Sequence, residues 1–169
     1  MICTLILMRH SHAVGEHTCR DFDRQLTDDG IQLANATGSL LNELRIVPDL
    51  ILTSAASRTV QTGECVAEQF ESSIPLSSRR ELYQAGPSAY LPTIQSAAAP
   101  DLRTILCVGH NPGIASMISS LAGQQLPVSP ATTAVYSVAA GNWLTLPSLN
   151  NRVEELTHLI VDAKLTGDH

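Results

Sequence analysis

Residues 2–10 read Ile-Cys-Thr-Leu-Ile-Leu-Met-Arg-His, an apolar run that ends in two basic side chains. Such a run is typical of a strand that is buried on both faces, as the strands of a parallel sheet are. Arg9 and His10 then lie at the carboxyl end of the predicted strand. Because ligands of α/β folds bind at the carboxyl ends of the strands, we expect these two side chains to face a binding site.

The same arrangement recurs twice further along the chain. The run 49–54, Asp-Leu-Ile-Leu-Thr-Ser, predicts a second short strand, and the helix predicted over 55–70 carries Arg58 in its first turn. The run 104–109, Thr-Ile-Leu-Cys-Val-Gly, predicts a third strand, and His110 follows it directly. The three predicted strands therefore direct polar side chains to the same edge of one sheet.

The remaining segments are assigned from periodicity, capping residues and turn residues. The predicted helices span 27–44, with Thr27 as the cap, 88–98, 111–121 and 152–163. The predicted strands are an edge strand over 74–77 and a closing hairpin formed by 134–139 and 143–146. Strands that alternate with helices indicate an α/β fold, a three-layer sandwich with a mainly parallel central sheet. The length of 169 residues fits one domain over residues 1–169.

Composition argues against several classes of function. The chain has 16 acidic and 10 basic residues and a formal net charge of −6, whereas proteins that bind a nucleic acid backbone depend on clustered Lys and Arg. A nucleic acid partner is therefore not expected, and a phosphate site would need a few arginines focused in one pocket. The apolar run at the N-terminus is too short to cross a bilayer, so we expect no membrane partner and a cytoplasmic location.

The cysteines follow no metal-binding pattern. Cys3, Cys19, Cys65 and Cys107 are scattered along the chain without the paired spacing of metal ligands, and we expect reduced core or surface thiols. No cluster of Asp or His has metal-ligand spacing either, so neither a metal nor a cofactor is predicted.

Each candidate site residue also has an ordinary structural interpretation. Arg9 and His10 alone would suit a polar surface pair at a strand end, and His110 alone would suit a hydrogen-bonded loop histidine. Arg58 alone would be a solvated side chain, although a cation in the first turn of a helix opposes the helix dipole and so hints at an anionic partner. Only the convergence of all four residues favours a functional site.

Four sequence motifs follow one another along the first three quarters of the chain. They are LMRHSHA at 7–13, LTDDG at 26–30, TSAASRTVQT at 53–62 and VGHN at 108–111. Together they resemble the motifs of the histidine phosphatase superfamily, which is also called phosphoglycerate mutase-like. The short chain, without a large insertion, is most similar to the SixA-like phosphohistidine phosphatases. The resemblance implies the phosphoglycerate mutase-like fold and a metal-independent phosphatase.

The resemblance also implies a role for each matched residue. His10 would be the covalent nucleophile, Arg9, Arg58 and His110 would grip the phosphoryl group, and Asn111 would assist in binding. These residue types suit phosphoryl transfer, which needs mainly positioning and stabilisation of charge on the equatorial oxygens. An arginine fork binds phosphate oxygens bidentately, and nearby arginines would keep His10 neutral and nucleophilic.

The chain departs from the superfamily motif at Ser11, where the superfamily has Gly. Ser11 is small enough to fit and is expected to bind substrate, although the backbone then approaches the phosphate less closely. His12, two positions beyond the motif histidine, is interpreted as a neighbour or a substrate-facing residue rather than as the nucleophile.

Glu81 is the candidate general acid, and a solvated surface glutamate is its alternative interpretation. A phosphate ester would need such an acid because its leaving group is an alkoxide, whereas the imidazole that leaves from phosphohistidine has a reference pKa of about 6.5 and needs less help. The segment 72–100 leaves little room for a lid, so an open site that admits a protein-borne phosphate is expected.

These observations leave three hypotheses for function. The first is a phosphatase that acts on phosphohistidine of a phosphotransfer or signalling protein, such as a histidine-phosphotransfer domain. The second is a phosphomonoesterase for small phosphorylated metabolites, with Glu81 as its acid. The third is a non-catalytic phosphate-binding module.

Overall fold

Strand β1, Ile2–Arg9, lies at the centre of a seven-stranded sheet in the computed structural model, which describes residues 2–166. The other strands are β2 Leu50–Ser54, β3 Leu76–Arg79, β4 Thr104–Gly109, β5 Thr133–Ala139, β6 Val153–Val161 and β7 Lys164–Leu165. The helices are α1 Asp28–Glu43, α2 Ser57–Ala67, α3 Tyr90–Ala97 and α4 Gly113–Ala122, and short 3₁₀ turns span Asp21–Asp23, Arg80–Leu82 and Pro87–Ala89. The three strands predicted to end at the site are confirmed.

The parallel part of the sheet brings three strand ends to one level. The sheet order is β3-β2-β4-β1-β5-β6-β7, with the first four strands parallel and the last three added antiparallel. Arg9 at the end of β1 lies opposite Gly109 at the end of β4, and Thr53 of β2 lies opposite Val108 of β4. The backbone NH of His10 extends this pairing by donating to the Gly109 carbonyl at 3.0 Å.

Helices cover both faces of the sheet and give the predicted three-layer α/β sandwich. Ile6 and Met8 of β1 belong to a core beneath α1 and α2, whereas Leu5 and Leu7 belong to a core beneath α3 and α4. All four side chains are fully buried, and each contributes roughly 1.5–3 kcal/mol to stability. Each helix formed by residues 2–166 is too short or too polar to cross a membrane.

The start of α1 matches its prediction and holds the loop that follows β1. Thr27 caps the helix, its Oγ1 accepting a hydrogen bond from the Gly30 NH at 3.0 Å. A Cβ atom at Gly30 would lie 2.1 Å from the His12 carbonyl oxygen, so a larger residue would force the two segments apart. This close approach places the backbone just after His10 against the first turn of α1.

The helix predicted over 152–163 is wrong, because this segment forms β6 and pairs with β5. The pairing shifts register twice, so that Val135 opposes His158 while its neighbour Tyr136 opposes Leu156. Such bulges insert extra residues and break the strict alternation of a strand. The apolar residues of β6 therefore recur at a spacing of three, which imitates a helical stripe.

The closing hairpin predicted from 134–139 and 143–146 is also wrong in its second half. The first segment forms β5, but β5 pairs with β1 and β6. The second segment is a turn that buries Trp143 completely, and its indole NH donates to the Arg103 carbonyl at 3.2 Å. Apolar residues here reflect a core-filling loop rather than a strand.

Candidate active site

The three strand ends open into a cleft of about 380 Å³. It is lined by Arg9, His10, Ser11, His12, Ala13, Glu16, Asp21, Arg24, Arg58, Gln84, His110, Asn111 and Pro130. The structure thus brings together every site residue expected from the sequence except Glu81. This cleft is polar, and three arginines supply its positive charge.

The ring of His10 is held in one tautomer. Its Nδ1 lies 2.7 Å from the Ser11 carbonyl oxygen, which can only accept, so Nδ1 carries the proton and Nε2 carries the lone pair. Arg58 Nε points at this Nε2 atom at 3.3 Å. Burial, together with the charges of Arg58, Arg9 and Arg24, lowers the pKa of His10 to about 4, although the hydrogen bond to the Ser11 carbonyl acts in the opposite sense. The ring is therefore neutral at physiological pH.

Arg58 lies in the first turn of α2, and its side chain is only 4 % exposed. Besides the contact with His10, its Nη2 donates to His110 Nδ1 at 3.1 Å and to an Asp21 carboxylate oxygen at 3.0 Å, and its Nη1 donates to the Asp21 carbonyl. The Asp21 carboxylate offsets the unfavourable position of a cation at a helix N-terminus. Arg58 consequently connects His10 and His110 to the 3₁₀ turn Asp21–Asp23.

His110 follows β4 and is oriented by a chain of hydroxyl groups. Because its Nδ1 accepts from Arg58, its Nε2 donates to Ser54 Oγ at 2.6 Å. Ser54 Oγ also accepts from the Ala56 NH at 3.2 Å and lies 2.9 Å from Thr59 Oγ1. Burial, followed by the charge of Arg58, lowers the pKa of His110 to about 3. The ring is therefore neutral, with its Nδ1 edge toward Arg58.

Arg9 and Asn111, which both line the cleft, share one backbone acceptor. Arg9 Nη1 and Asn111 Nδ2 both donate to the Val128 carbonyl, at 3.0 and 3.1 Å. Arg9 Nε is buried and has no hydrogen-bond partner within residues 2–166, so the guanidinium keeps donor capacity for a ligand. Burial lowers the pKa of Arg9.

Ser11 and His12, which follow His10 in the chain, also line the cleft. The Ser11 NH donates to Thr62 Oγ1 at 3.1 Å, and the residue is fully buried. Its hydroxyl makes no hydrogen bond to any part of the chain that the structure describes. The fold therefore accommodates serine where the superfamily motif has glycine. His12 is exposed at the rim.

Sequence reasoning missed Asp21 and Arg24. One Asp21 oxygen accepts from Arg24 Nη2 at 2.8 Å, and the other accepts from Arg58 and from the Tyr83 hydroxyl at 2.7 Å. Burial by itself would raise the pKa of the Asp21 carboxyl, but hydrogen bonds from Tyr83, Arg24 and Arg58 outweigh it and hold the pKa far below its usual value. The signal that could have revealed them is the alternating charge of residues 20–24, Arg-Asp-Phe-Asp-Arg, in a chain with few charges.

The structure does not bring Glu81 to the cleft. The 3₁₀ turn Arg80–Leu82 buries Leu82 completely and leaves Glu81 exposed. Glu81 lines a separate cavity instead, together with Ala89, Pro92, Thr93 and Ser96. The structure therefore gives no support to Glu81 as the general acid, because this residue lines a different cavity from the cleft that holds His10.

Other titratable groups form no second centre in the described chain. Within residues 2–166 no group of three or more His, Cys, Asp or Glu side chains is arranged to hold a metal ion. The four cysteines are unpaired thiols, of which Cys19 is exposed and Cys3, Cys65 and Cys107 are buried. Burial raises the pKa of the Cys107 thiol to about 12.

Comparison with known proteins agrees with this geometry. Residues 5–85 match the family described as histidine phosphatase superfamily, branch 1. An uncharacterized chloroplastic protein of Arabidopsis thaliana is 30% identical over 148 residues, which cover 82% of this chain and 68% of that protein.

Two solved structures are similar over most of their length. One, assigned as phosphohistidine phosphatase SixA from Nakamurella multipartitia, is 29% identical with a TM-score of 0.80, covering 94% of this chain and 95% of that one. The other, assigned as SixA from Agrobacterium tumefaciens, is 30% identical with a TM-score of 0.71, covering 79% and 90%. The chain therefore belongs to the histidine phosphatase superfamily, and this membership supports phosphatase activity.

Proposed function

We propose that this protein removes the phosphoryl group from phosphohistidine on a phosphotransfer or signalling protein, through a covalent intermediate on His10. The observation that carries the proposal is the state of the His10 ring. Its Nδ1 proton is engaged by the Ser11 carbonyl, so the Nε2 lone pair is directed at the place where Arg58 presents its donors. A neutral imidazole with an unprotonated, oriented nitrogen is the form that attacks phosphorus.

The reaction proceeds in two displacements. His10 Nε2 attacks phosphorus, a new N–P bond forms, and the bond from phosphorus to the nitrogen of the substrate imidazole breaks. The substrate imidazole leaves with the bonding electron pair and takes up a proton. Water then attacks the phosphorus of the phosphoenzyme, the bond to Nε2 breaks, and inorganic phosphate is released.

The arginines stabilise the negative charge of the transferred phosphoryl group. Arg58 Nε, which donates to His10 Nε2, would turn its hydrogen bond to a phosphoryl oxygen. Arg9 also lines the cleft, and its Nε has no hydrogen-bond partner within residues 2–166. Arg24 adds a third positive charge to the cleft lining. Fixed guanidinium groups in a partly buried cleft stabilise charge on the equatorial oxygens without reorganisation during the reaction.

His110 would contact the same oxygens through its Nδ1 edge. That nitrogen accepts a hydrogen bond from Arg58 Nη2, while Nε2 donates to Ser54 Oγ. When a phosphoryl group displaces Arg58 from it, Nδ1 must take up a proton to donate to an oxygen. The anionic ligand itself favours that protonation, because an opposite charge nearby raises the pKa of a histidine.

The carboxylates of the cleft favour phosphohistidine as the substrate. Asp21 is held ionised by two arginines and a tyrosine, so it is a poor proton donor, and Glu81 lies in another cavity. Glu16, exposed at the rim, is then the remaining carboxyl group of the cleft, and an imidazole leaving group depends less on such an acid than an alkoxide does. The rim residues His12, Glu16 and Asn111 are exposed, which leaves room for a protein-borne side chain. The two SixA-assigned relatives support the same substrate class.

A phosphomonoesterase for small metabolites is the second candidate, and Glu16 favours it. Glu16 lines the cleft, so its carboxyl group is the one available to protonate an alkoxide. On this alternative, Glu16 replaces the role expected of Glu81.

Trapping the phosphoenzyme tests the covalent step. The protein is incubated with a phosphorylated histidine-phosphotransfer domain, quenched in alkali and mapped by mass spectrometry. We expect an acid-labile phosphoryl group on His10, lost in His10→Asn and retained in His12→Asn, a matched control two residues away in the same cleft. Label on His12 in the unmodified protein would contradict the assignment.

A substrate panel separates the candidates. We expect faster hydrolysis of the phosphorylated phosphotransfer domain than of sugar phosphates, and faster sugar phosphate hydrolysis would favour the esterase. Phosphate release from an aryl phosphate in EDTA, with His10→Asn as the control, distinguishes catalysis from binding alone.

A further inference from the structure

The Asp21 carboxylate bridges two arginines of the cleft. Its Oδ2 accepts from Arg58 Nη2 at 3.0 Å and its Oδ1 accepts from Arg24 Nη2 at 2.8 Å and Nε at 3.1 Å. The Asp21 carbonyl accepts from Arg58 Nη1, and the Tyr83 hydroxyl donates to Oδ2 at 2.7 Å. Asp21 therefore engages Arg58 through both its side chain and its backbone.

These contacts saturate one edge of the Arg58 guanidinium. The group has five N–H donors in a rigid plane. Nη1 and Nη2 each donate one hydrogen bond to Asp21. A second N–H of Nη2 donates to His110, and the single N–H of Nε donates to His10 Nε2. Because the plane is rigid, holding its far edge determines where Nε points.

We propose that Asp21 is a positioning residue that aims Arg58 Nε at the phosphorus site beside His10, and that its negative charge keeps the cleft from retaining inorganic phosphate too tightly. The proposal rests on the proposed function, since it assumes that the phosphoryl group sits between Arg58 and His10. Tyr83 supports Asp21 by a hydrogen bond and packs edge-on against His110, with ring centroids 5.6 Å apart.

The two effects of Asp21 act on different steps. Aiming Arg58 promotes phosphoryl transfer, because small displacements of a catalytic group slow a reaction strongly. The carboxylate charge opposes binding of any anion near the three arginines. Loss of the carboxylate therefore slows transfer and tightens phosphate binding at the same time, whereas simple damage to the site would weaken both.

Asp21→Asn is the informative variant. Both carboxylate oxygens accept hydrogen bonds from arginines, so an amide of the same shape must turn its NH2 group toward Arg24 or Arg58 and lose that contact. Asp23→Asn is the matched control, because Asp23 lies on the same 3₁₀ turn but pairs with the exposed Arg20 at 2.7 Å. Tyr83→Phe removes only the supporting hydroxyl and keeps the charge.

The experiment measures two quantities for each variant after circular dichroism and thermal melting establish that it folds. Rapid-quench single turnover with the phosphorylated phosphotransfer domain gives the rate of phosphoenzyme formation, and inhibition by inorganic phosphate gives the affinity for that anion. For Asp21→Asn we expect formation about 10- to 100-fold slower and phosphate binding about three- to fivefold tighter at low salt. For Asp23→Asn both quantities should match the unmodified protein.

Either an unchanged rate or weaker phosphate binding in Asp21→Asn would overturn the proposal. If that variant does not fold, Tyr83→Phe tests the proposal instead. Slower phosphoenzyme formation with an unchanged affinity for phosphate would support the proposal, and an unchanged rate of phosphoenzyme formation would overturn it. Failure of the proposed function has a different signature, since the unmodified protein would then form no phosphoenzyme on His10.

Discussion

Lowering the pH from 7.5 to 5.5 should destabilise the protein through two histidines of the cleft, His10 and His110. His10 and His110 have pKa values of about 4 and about 3 in the folded protein, because both rings are buried beside Arg58. In the unfolded chain their pKa returns to about 6.5. The unfolded state therefore binds more protons than the folded state below pH 6.5, and stability falls as the pH decreases from about 6.5 toward 4.

The expected size follows from this difference. At pH 5.5 an unfolded histidine is almost fully protonated and a folded one with a pKa of 4 or less is almost fully neutral, which amounts to about 1.4 kcal/mol for each ring. His10 and His110 together should thus lower the free energy of unfolding by about 3 kcal/mol relative to pH 7.5. The loss is large against a typical total stability of about 5–15 kcal/mol.

Urea denaturation at pH 7.5 and 5.5 measures this quantity. His10→Asn keeps an N–H group near the Ser11 carbonyl and His110→Gln keeps one near Ser54, but neither new side chain titrates. Each variant should lose about 1.4 kcal/mol less stability between the two pH values than the unmodified protein does. Equal losses in the variant and the unmodified protein would mean that the histidine titrates normally in the fold, which would refute the reasoning.

Three further outcomes follow from the contacts of the site. Arg58→Lys should slow phosphoenzyme formation by about 100-fold in rapid-quench assays, because one ammonium group cannot replace donors that reach two histidines and the 3₁₀ turn. Gly109→Ala should lower the urea-measured stability by about 1–3 kcal/mol, since the new Cβ would lie 2.1 Å from the Tyr90 hydroxyl, and Tyr90→Phe should restore part of it. Glu81→Gln should leave hydrolysis of every substrate unchanged, whereas Glu16→Gln should slow sugar phosphate hydrolysis more than phosphohistidine hydrolysis.

The fold was predictable where local sequence and tertiary environment agree. The apolar run of β1 is buried on both faces, and Thr27 caps α1 as its hydroxyl and position suggest. The strand ends alone predict that Arg9, His10 and His110 lie close together, because parallel strands in register end at one level. The prediction failed at β6, where two bulges set the pattern, and pairing between distant strands leaves no local signature of a bulge.

The site was predictable only where residues follow strands or open a helix. Asp21 and Arg24 lie in a loop whose 3₁₀ turn is held mainly by contacts with Arg58 and Tyr83, residues that are 37 and 62 positions away from Asp21. No spacing rule connects such segments. Glu81 shows that a residue expected in the site can lie outside it. Its neighbour Leu82 is buried in the 3₁₀ turn, and Glu81 of the same turn is exposed.

The positive charge of the cleft comes from arginines, which stay charged, while His10 beside them stays neutral. A chain with a net charge of −6 can attract a phosphoryl group only through local cations, and here these are arginines, whose charge persists at any physiological pH. Burial together with those same cations keeps His10 unprotonated, so the field that would bind the anion also preserves the neutral ring that the proposed mechanism requires. Excess positive charge would hold the product, and Asp21 opposes that excess where it also orients Arg58. Binding, nucleophilicity and release therefore depend on one arrangement of charges, and a substitution at Arg58 or Asp21 should alter all three.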